Sequence, residues 1–337
     1  MKTRNDIVLL SHGSGGRLMN ELIRGLFLKN LGNPILNRLT DAAELELRSR
    51  SAVFTTDSFV VKPLFFPQAD IGKLAVAGTV NDLLMLGGVP QYLSLSLIIQ
   101  ENFPQATLEK IIKSIAKSCD KADVKIVTGD TKVVERNSCD GIFINTSGVG
   151  IKLAGTELGF GRIKEGDVII INGGIGSHGV AIISARENLK FNITSDCESL
   201  ESLIIPLLKE FKKDIHFLRD PTRGGLATTL NEITRSIKYS IIIDEKNIPV
   251  SKEVLYACEI LGFDPLYMAN EGKVVIVADR RVDGEIIKFL RKRKLGKNAS
   301  LIGKITKGFG KKVIAKTLVG SLRIIDMHEG DPLPRIC

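Results

Sequence analysis

The sequence predicts a two-domain α/β protein. Apolar strand patterns alternate with amphipathic helix patterns twice along the chain, over roughly residues 40–155 and again over 156–326. At 337 residues with 44% hydrophobic content, the chain can supply each half with its own core.

The first 39 residues hold a glycine-rich segment, Ser11-His12-Gly13-Ser14-Gly15-Gly16, and a helix pattern with Leu18, Leu22, Ile23, Leu26 and Phe27 on one face. Residues 51–62 are expected to form a strand bearing Asp57. A helix over 71–85 carries Asn81 and Asp82 and stops at Gly87-Gly88. A strand over 92–100, a helix over 108–122 and a strand over 125–128 follow. The last runs into a turn, Gly129-Asp130-Thr131-Lys132, and a strand over 142–150 closes the first half.

After a polar connector (155–164), the second half opens with a strand, 167–172, and a glycine-rich turn, 173–179. Helices are expected over 180–188, 200–211, 226–236 and 251–261, with strands over 240–244 and 273–278. Asp220-Pro221-Thr222-Arg223-Gly224-Gly225 enters the third of these helices, and Asn270-Glu271-Gly272 precedes the second strand. A basic helix over 280–295 and strands near 300–305 and 322–326 complete the domain, leaving 327–337 as a tail.

Composition narrows the class. No run of eighteen apolar residues exists, and the first apolar run is four residues, too short for a signal peptide, so a cytoplasmic location is expected. Cys119, Cys139, Cys197, Cys258 and Cys337 are widely spaced and never C-x-x-C, which argues against a disulfide framework or a cysteine zinc site. Thirteen of the basic residues lie between Arg280 and Lys316 against two acids, with only Phe289 and Phe309 as aromatics. That composition suits a solvated basic surface better than a base-stacking platform, so nucleic acid is not an expected partner.

Four aspartates stand near strand ends or glycine turns: Asp57, Asp82, Asp130 and Asp220. Singly each reads as a turn or cap residue. Together, beside glycine-rich turns and Lys132, they suit Mg²⁺ and nucleotide phosphate. There is no G-x-x-x-x-G-K-[ST], so this is not a P-loop protein. Pro332 and Pro334 keep residues 331–337 out of helix and central strand, and an extended arm of about ten residues reaches roughly 30 Å. Cys337 is then either a travelling thiol or part of a frayed tail.

HGSGG (12–16), TTDSFVV (55–61), VNDLLMLGG (80–88), TGDTKVV (128–134), DPTRGGLA (220–227), NEG (270–272) and PRIC (334–337) resemble, in order, the motifs of the HypE family of hydrogenase maturation proteins. That family sits in the superfamily of aminoimidazole ribonucleotide synthetase and selenophosphate synthetase. The resemblance implies an N-terminal ATP-binding domain (40–155) that dimerises through a barrel-like interface, and ATP with Mg²⁺ between the domains. It implies that the carbamoyltransferase HypF loads a carboxamide onto Cys337, that ATP-dependent dehydration makes a thiocyanate, and that cyanide passes to iron on a HypC–HypD complex for the [NiFe] centre. Asp57, Asp82 and Asp220 would hold the metal. Asp130, Asn81, Gly13, Gly15 and Gly16 would bind the nucleotide. Lys132 and Glu271 would serve the dehydration, or form a salt bridge. His12 would contact phosphate or act as a cap; Arg223 would clamp phosphate or enter a helix. A selenophosphate synthetase-like phosphotransferase and a non-catalytic docking protein are the alternatives. The first is disfavoured because the earliest cysteine is Cys119.

Overall fold

Two sheets present their free edges to one cleft. The computed structural model describes residues 7–9, 12, 17–38 and 51–327. The first half contains α1 (Arg17–Leu22), which passes through a π-helical turn, Ile23–Leu28, into α2 (Lys29–Leu31). It continues with β1 (Ala52–Phe59), β2 (Phe65–Phe66), β3 (Ala69–Asp70), α3 (Ile71–Met85), β4 (Gly88–Gln100), α4 (Gln105–Ala122), β5 (Lys125–Val134) and β6 (Ile142–Lys152). The main sheet has the order β1-β6-β4-β5, with β4 and β5 parallel and the other pairs antiparallel.

Alternation decides its faces. Leu93, Leu95, Leu97 and Ile99 of β4 are buried under α3 and α4, while Ser94, Ser96 and Ile98 point to the other side. The α4 helix is amphipathic and buries Leu108, Ile111, Ile112, Ile115 and Cys119 at helical spacing. In contrast, α3 is apolar nearly all round because it is sandwiched between this sheet and the second half. Asp70 starts it: Oδ1 accepts from the Gly72 and Lys73 amides, and Oδ2 accepts from Ser114 of α4 at 2.6 Å.

The second half comprises β7 (Val168–Ile171), α5 (Ser177–Arg186), α6 (Glu201–Glu210), β8 (Ile215–Arg219), α7 (Gly225–Ser236), β9 (Ser240–Asp244), α8 (Lys252–Leu261), β10 (Val275–Ala278), α9 (Asp283–Arg291), β11 (Ser300–Thr306), β12 (Val313–Lys316) and β13 (Leu322–Ile325). Its sheet order is β13-β12-β9-β11-β7-β10-β8. β7 is buried on both faces. Val168 and Ile170 join the core under α5, α6 and α9; Ile169 and Ile171 join the core under α7. The first of these cores runs on into that of the N-terminal half through α3 and α6, so the domains share apolar packing.

Several expectations are corrected. Gly129–Lys132 is not a turn but the middle of β5, paired with β4 throughout. A Cβ on Gly129 would lie 2.2 Å from the Leu95 carbonyl oxygen, so glycine there permits close strand approach. β8 and β12 were not expected; both are short and lie beside charged residues, which hides their period. The basic helix shrinks to α9, which buries Ile286 and Leu290 and turns Lys288 and Arg291 outward. The tail from 328, with Cys337, lies outside the described residues.

Close packing of α3 on α4 depends on Gly72, where a Cβ would stand 2.7 Å from the Ile111 carbonyl oxygen. Gly72→Ala should lower stability by about 1–3 kcal/mol. Urea unfolding should show a lower midpoint with an unchanged slope; an unshifted midpoint would mean the helices part freely.

Candidate active site

β1 is one edge of the first sheet and β8 one edge of the second. Between them lies a cavity of about 570 Å³ walled by Val53, Phe54 and Thr55 of β1 and by Phe217, Leu218 and Arg219 of β8. It shares Asp82, Asp220, Thr222 and Arg223 with a smaller cavity of about 50 Å³, which Asp57 and Glu271 also line. The larger cavity has an apolar end, where Phe160 and Phe217 pack at 4.7 Å between ring centres.

Each acid arrives from a different element. Asp57 is on the helix-facing side of β1, where Gly78 of α3 leaves room for Phe59 and Asp57. Its Oδ1 accepts from the Ser58 amide at 2.7 Å. Asp82 stands one helical turn beyond Gly78, and its Oδ2 accepts from Thr55 Oγ1 at 2.9 Å. Asp220 follows β8, and Glu271 sits on the turn before β10.

Burial and mutual repulsion set their proton affinities. Burial raises Asp57, while the Ser58 amide and Arg223 oppose the shift. Burial raises Asp82, helped by the charge of Asp57. Asp220 is pushed up to about 7, first by burial and then by Asp82. Glu271 is raised well above the usual range, again by burial first and then by Asp220. Among the described residues, no three carboxylate, histidine or cysteine side chains stand close enough to enclose a metal as they are. The donor chemistry nonetheless fits a hard divalent ion that keeps some of its waters and shares phosphate oxygens, since Mg²⁺ needs only one or two carboxylates.

Two asparagines organise the site. Asn81 is fully engaged with backbone: Nδ2 donates to the carbonyls of Glu198 (3.1 Å) and Glu271 (3.4 Å), and Oδ1 accepts from the Leu200 amide at 2.8 Å. These bonds make Asn81 an interdomain tether. Asn270, which sequence reading passed over, pins both glycine turns. Its Oδ1 accepts from the Gly176 amide at 2.7 Å, and its Nδ2 donates to the Pro221 carbonyl at 2.9 Å. The only advance sign was its place in the NEG triplet.

The remaining candidates scatter. His12 is buried and its Nδ1 accepts from the Leu9 amide at 2.9 Å. Arg223 is exposed at the mouth shared by the two cavities. Asp130 and Lys132 pair with each other at 3.7 Å on the open face of β5, the edge strand furthest from β1. Within one chain they do not meet Glu271. Gly13, Gly15, Gly16 and Cys337 lie outside the described residues.

A two-domain α/β fold with an acidic cleft between sheet edges defines the AIR synthase-related class. The N-terminal domain model of "AIR synthase related protein" matches residues 39–152, and the C-terminal domain model matches 164–316. The chain is 46% identical to the carbamoyl dehydratase HypE of Bradyrhizobium diazoefficiens over 99% of this chain and 97% of that one. A crystal structure of the hydrogenase maturation protein HypE in complex with ATP superposes with a TM-score of 0.94 at 43% identity, covering 98% of this chain and 99% of that one. The structure of a HypE–HypF complex gives 0.80 at 45% identity, covering 91% and 99%. This chain belongs to the HypE family of AIR synthase-related proteins.

With its carboxyl pKa raised, Asp220 binds a proton in the folded protein that the unfolded chain releases above its ordinary value of 3.8. Folded stability in chelator should therefore fall as pH rises from about 4 to about 7. Asp220→Asn should stabilise the cation-free protein at pH 8 by roughly 1–3 kcal/mol, with little effect near pH 4. Thermal melts in chelator at the two pH values test this; equal shifts at both would remove the electrostatic explanation.

Proposed function

We propose that this protein dehydrates an S-carbamoyl group on Cys337 to a thiocyanate at the expense of ATP, supplying cyanide for hydrogenase maturation. The observation that carries this is the buried carboxylate cavity opening into a cleft of nucleotide size, in a chain similar over its whole length to carbamoyl dehydratases. ATP is read as the co-substrate, and the related HypE structure is a complex with ATP.

Oxide is a poor leaving group from a thiocarbamate. Transfer of the terminal phosphoryl group to the carbonyl oxygen makes phosphate the leaving group. Loss of the two N–H protons and of phosphate then leaves the nitrile, so the S-carbamoyl group loses the elements of one water overall. Asp57, Asp82 and Asp220 are the residues that would hold Mg²⁺, which when bound screens phosphate charge. Arg223, at the mouth, is suited to clamp a phosphate. Glu271, buried and behind the aspartates, is assigned to take an N–H proton, and Lys132 to stabilise the phosphorylated oxygen.

Lys132 reaches such a site from a second copy. The four-stranded sheet has two open edges, β1 and β5. Closing two copies into an eight-stranded barrel removes both edges and sets β5 of one beside β1 of the other. The open face suits this: a polar row crosses it through Ser58, Asn145, Ser96 and Asp130, and Phe54 is 66% exposed. The protein is thus read as a homodimer. HypF, partner of a related HypE in its complex, is read as the carbamoyl donor and a HypC–HypD complex as the cyanide acceptor. A cytoplasmic setting fits these partners; among the described residues no helix is long and apolar enough to cross a membrane.

Incubation with the carbamoyltransferase, carbamoyl phosphate and Mg-ATP should give a carbamoyl adduct on Cys337 that loses one water only with ATP, read by intact mass. Cys337→Ala should accept no carbamoyl group. An adduct that persists with ATP would leave a carrier protein. Mixing inactive Lys132→Ala with inactive Glu271→Gln should restore up to about a quarter of wild-type activity by statistical subunit exchange. No recovery on exchange would place Lys132 in its own chain's site or outside catalysis.

A further inference from the structure

We propose that Asp196 and Lys273, a buried ion pair outside the acidic cavity, are the positioning residues that aim Glu271 into it. The proposal rests on Glu271 being the base of the dehydration.

Asp196 lies in residues 187–200, an irregular segment between α5 and α6 that buries Ile193, Ser195, Cys197 and Ser199 at alternate positions. Ser195 anchors it through His178 Nδ1 at 2.8 Å. From there Asp196 Oδ1 accepts the Glu271 amide at 3.1 Å, and Oδ2 stands 2.8 Å from Lys273 Nζ. Lys273 Nζ also donates to the Gly272 carbonyl at 3.3 Å. On the other side, the Glu271 carbonyl accepts from the Glu198 amide (3.2 Å) and from Asn81. Both backbone groups of Glu271 are therefore held, by the same segment. Glu198 in turn is held by Lys73 of α3 (3.5 Å) and Lys121 of α4 (2.6 Å), so the segment is registered against the domain that carries Asp57 and Asp82.

The two segments approach too closely for a side chain at Gly272. A Cβ on Gly272 would fall 2.0 Å from the Asp196 carbonyl oxygen. Asp196 is among the charges that raise the Glu271 carboxyl, and Lys273 in turn favours the ionised form of Asp196. Burial works to raise the Asp196 carboxyl, yet Lys273 and the Glu271 amide keep it below the usual range. A buried ion pair is a poor source of stability compared with apolar packing, so its value here is orientation. Small displacements of a catalytic group cost rate far more than they cost binding.

The full-length protein, carbamoylated on Cys337, is assayed for ATP-dependent water loss by intact mass, with kcat and the KM for ATP measured separately. Asp196→Ala should lower kcat at least about tenfold while the KM for ATP stays within about twofold. Asp196→Asn keeps an acceptor for the Glu271 amide and should recover most of that loss. Wild-type kcat in Asp196→Ala beside an inactive Glu271→Gln would overturn the positioning role and leave the base assignment standing. A fully active Glu271→Gln would overturn the base assignment itself. Parallel loss of kcat, ATP affinity and thermal stability in both Asp196 variants, with no rescue by asparagine, would reduce the pair to a structural element.

Discussion

Four carboxylates gathered around one small cavity, Asp57, Asp82 and Asp220 half-buried and Glu271 buried, are the constraint on which the rest depends. Each is pushed toward its neutral form, first by burial and then, for Asp82, Asp220 and Glu271, by its neighbours. Such a cluster works against folding unless the surrounding structure over-determines it. The surroundings do so: α3 is buried nearly throughout, the two sheets are joined by a shared apolar core, and the turns that carry Asp220 and Glu271 are tied by Asn270 and Asn81. A bound cation would relieve that repulsion.

The division of labour between the domains follows. The N-terminal half offers Asp57 on a strand edge and Asp82 on a helix; the C-terminal half brings Asp220 and Glu271 to them on turns. Side chains on strands and helices have little freedom, whereas turns need pinning. That is why the buried hydrogen bonds of Asn81, Asn270 and Asp196 all end on turn or coil backbone.

The open face of the first sheet follows the same logic. Its helix-covered side is largely apolar apart from Thr55 and Asp57 of β1, and its other side carries serines, Asn145, Asp130 and Lys132 with isolated exposed Phe54 and Ile98. Such a face suits a partner surface that is partly polar, and the free β1 and β5 edges set where that partner would join.

The motif order and the alternation of periods were legible from residues alone. They determined the α/β class, the two halves, the family and the aspartates of the cleft, because binary pattern and glycine-flanked turns are local properties. β5 was misread past Thr128, because a glycine inside a strand looks like a turn until its neighbour's carbonyl is seen against it. Asp196 and Lys273 carried no signal, since their meaning lies in contacts across 75 residues of chain or more. Tertiary structure alone decided that Asn81 ties domains together, that Asp130 and Lys132 stand apart from Glu271 within one chain, and that Glu271 is held from both sides. Those outcomes depend on which segments meet, and that is set by packing between distant elements, which no local pattern encodes.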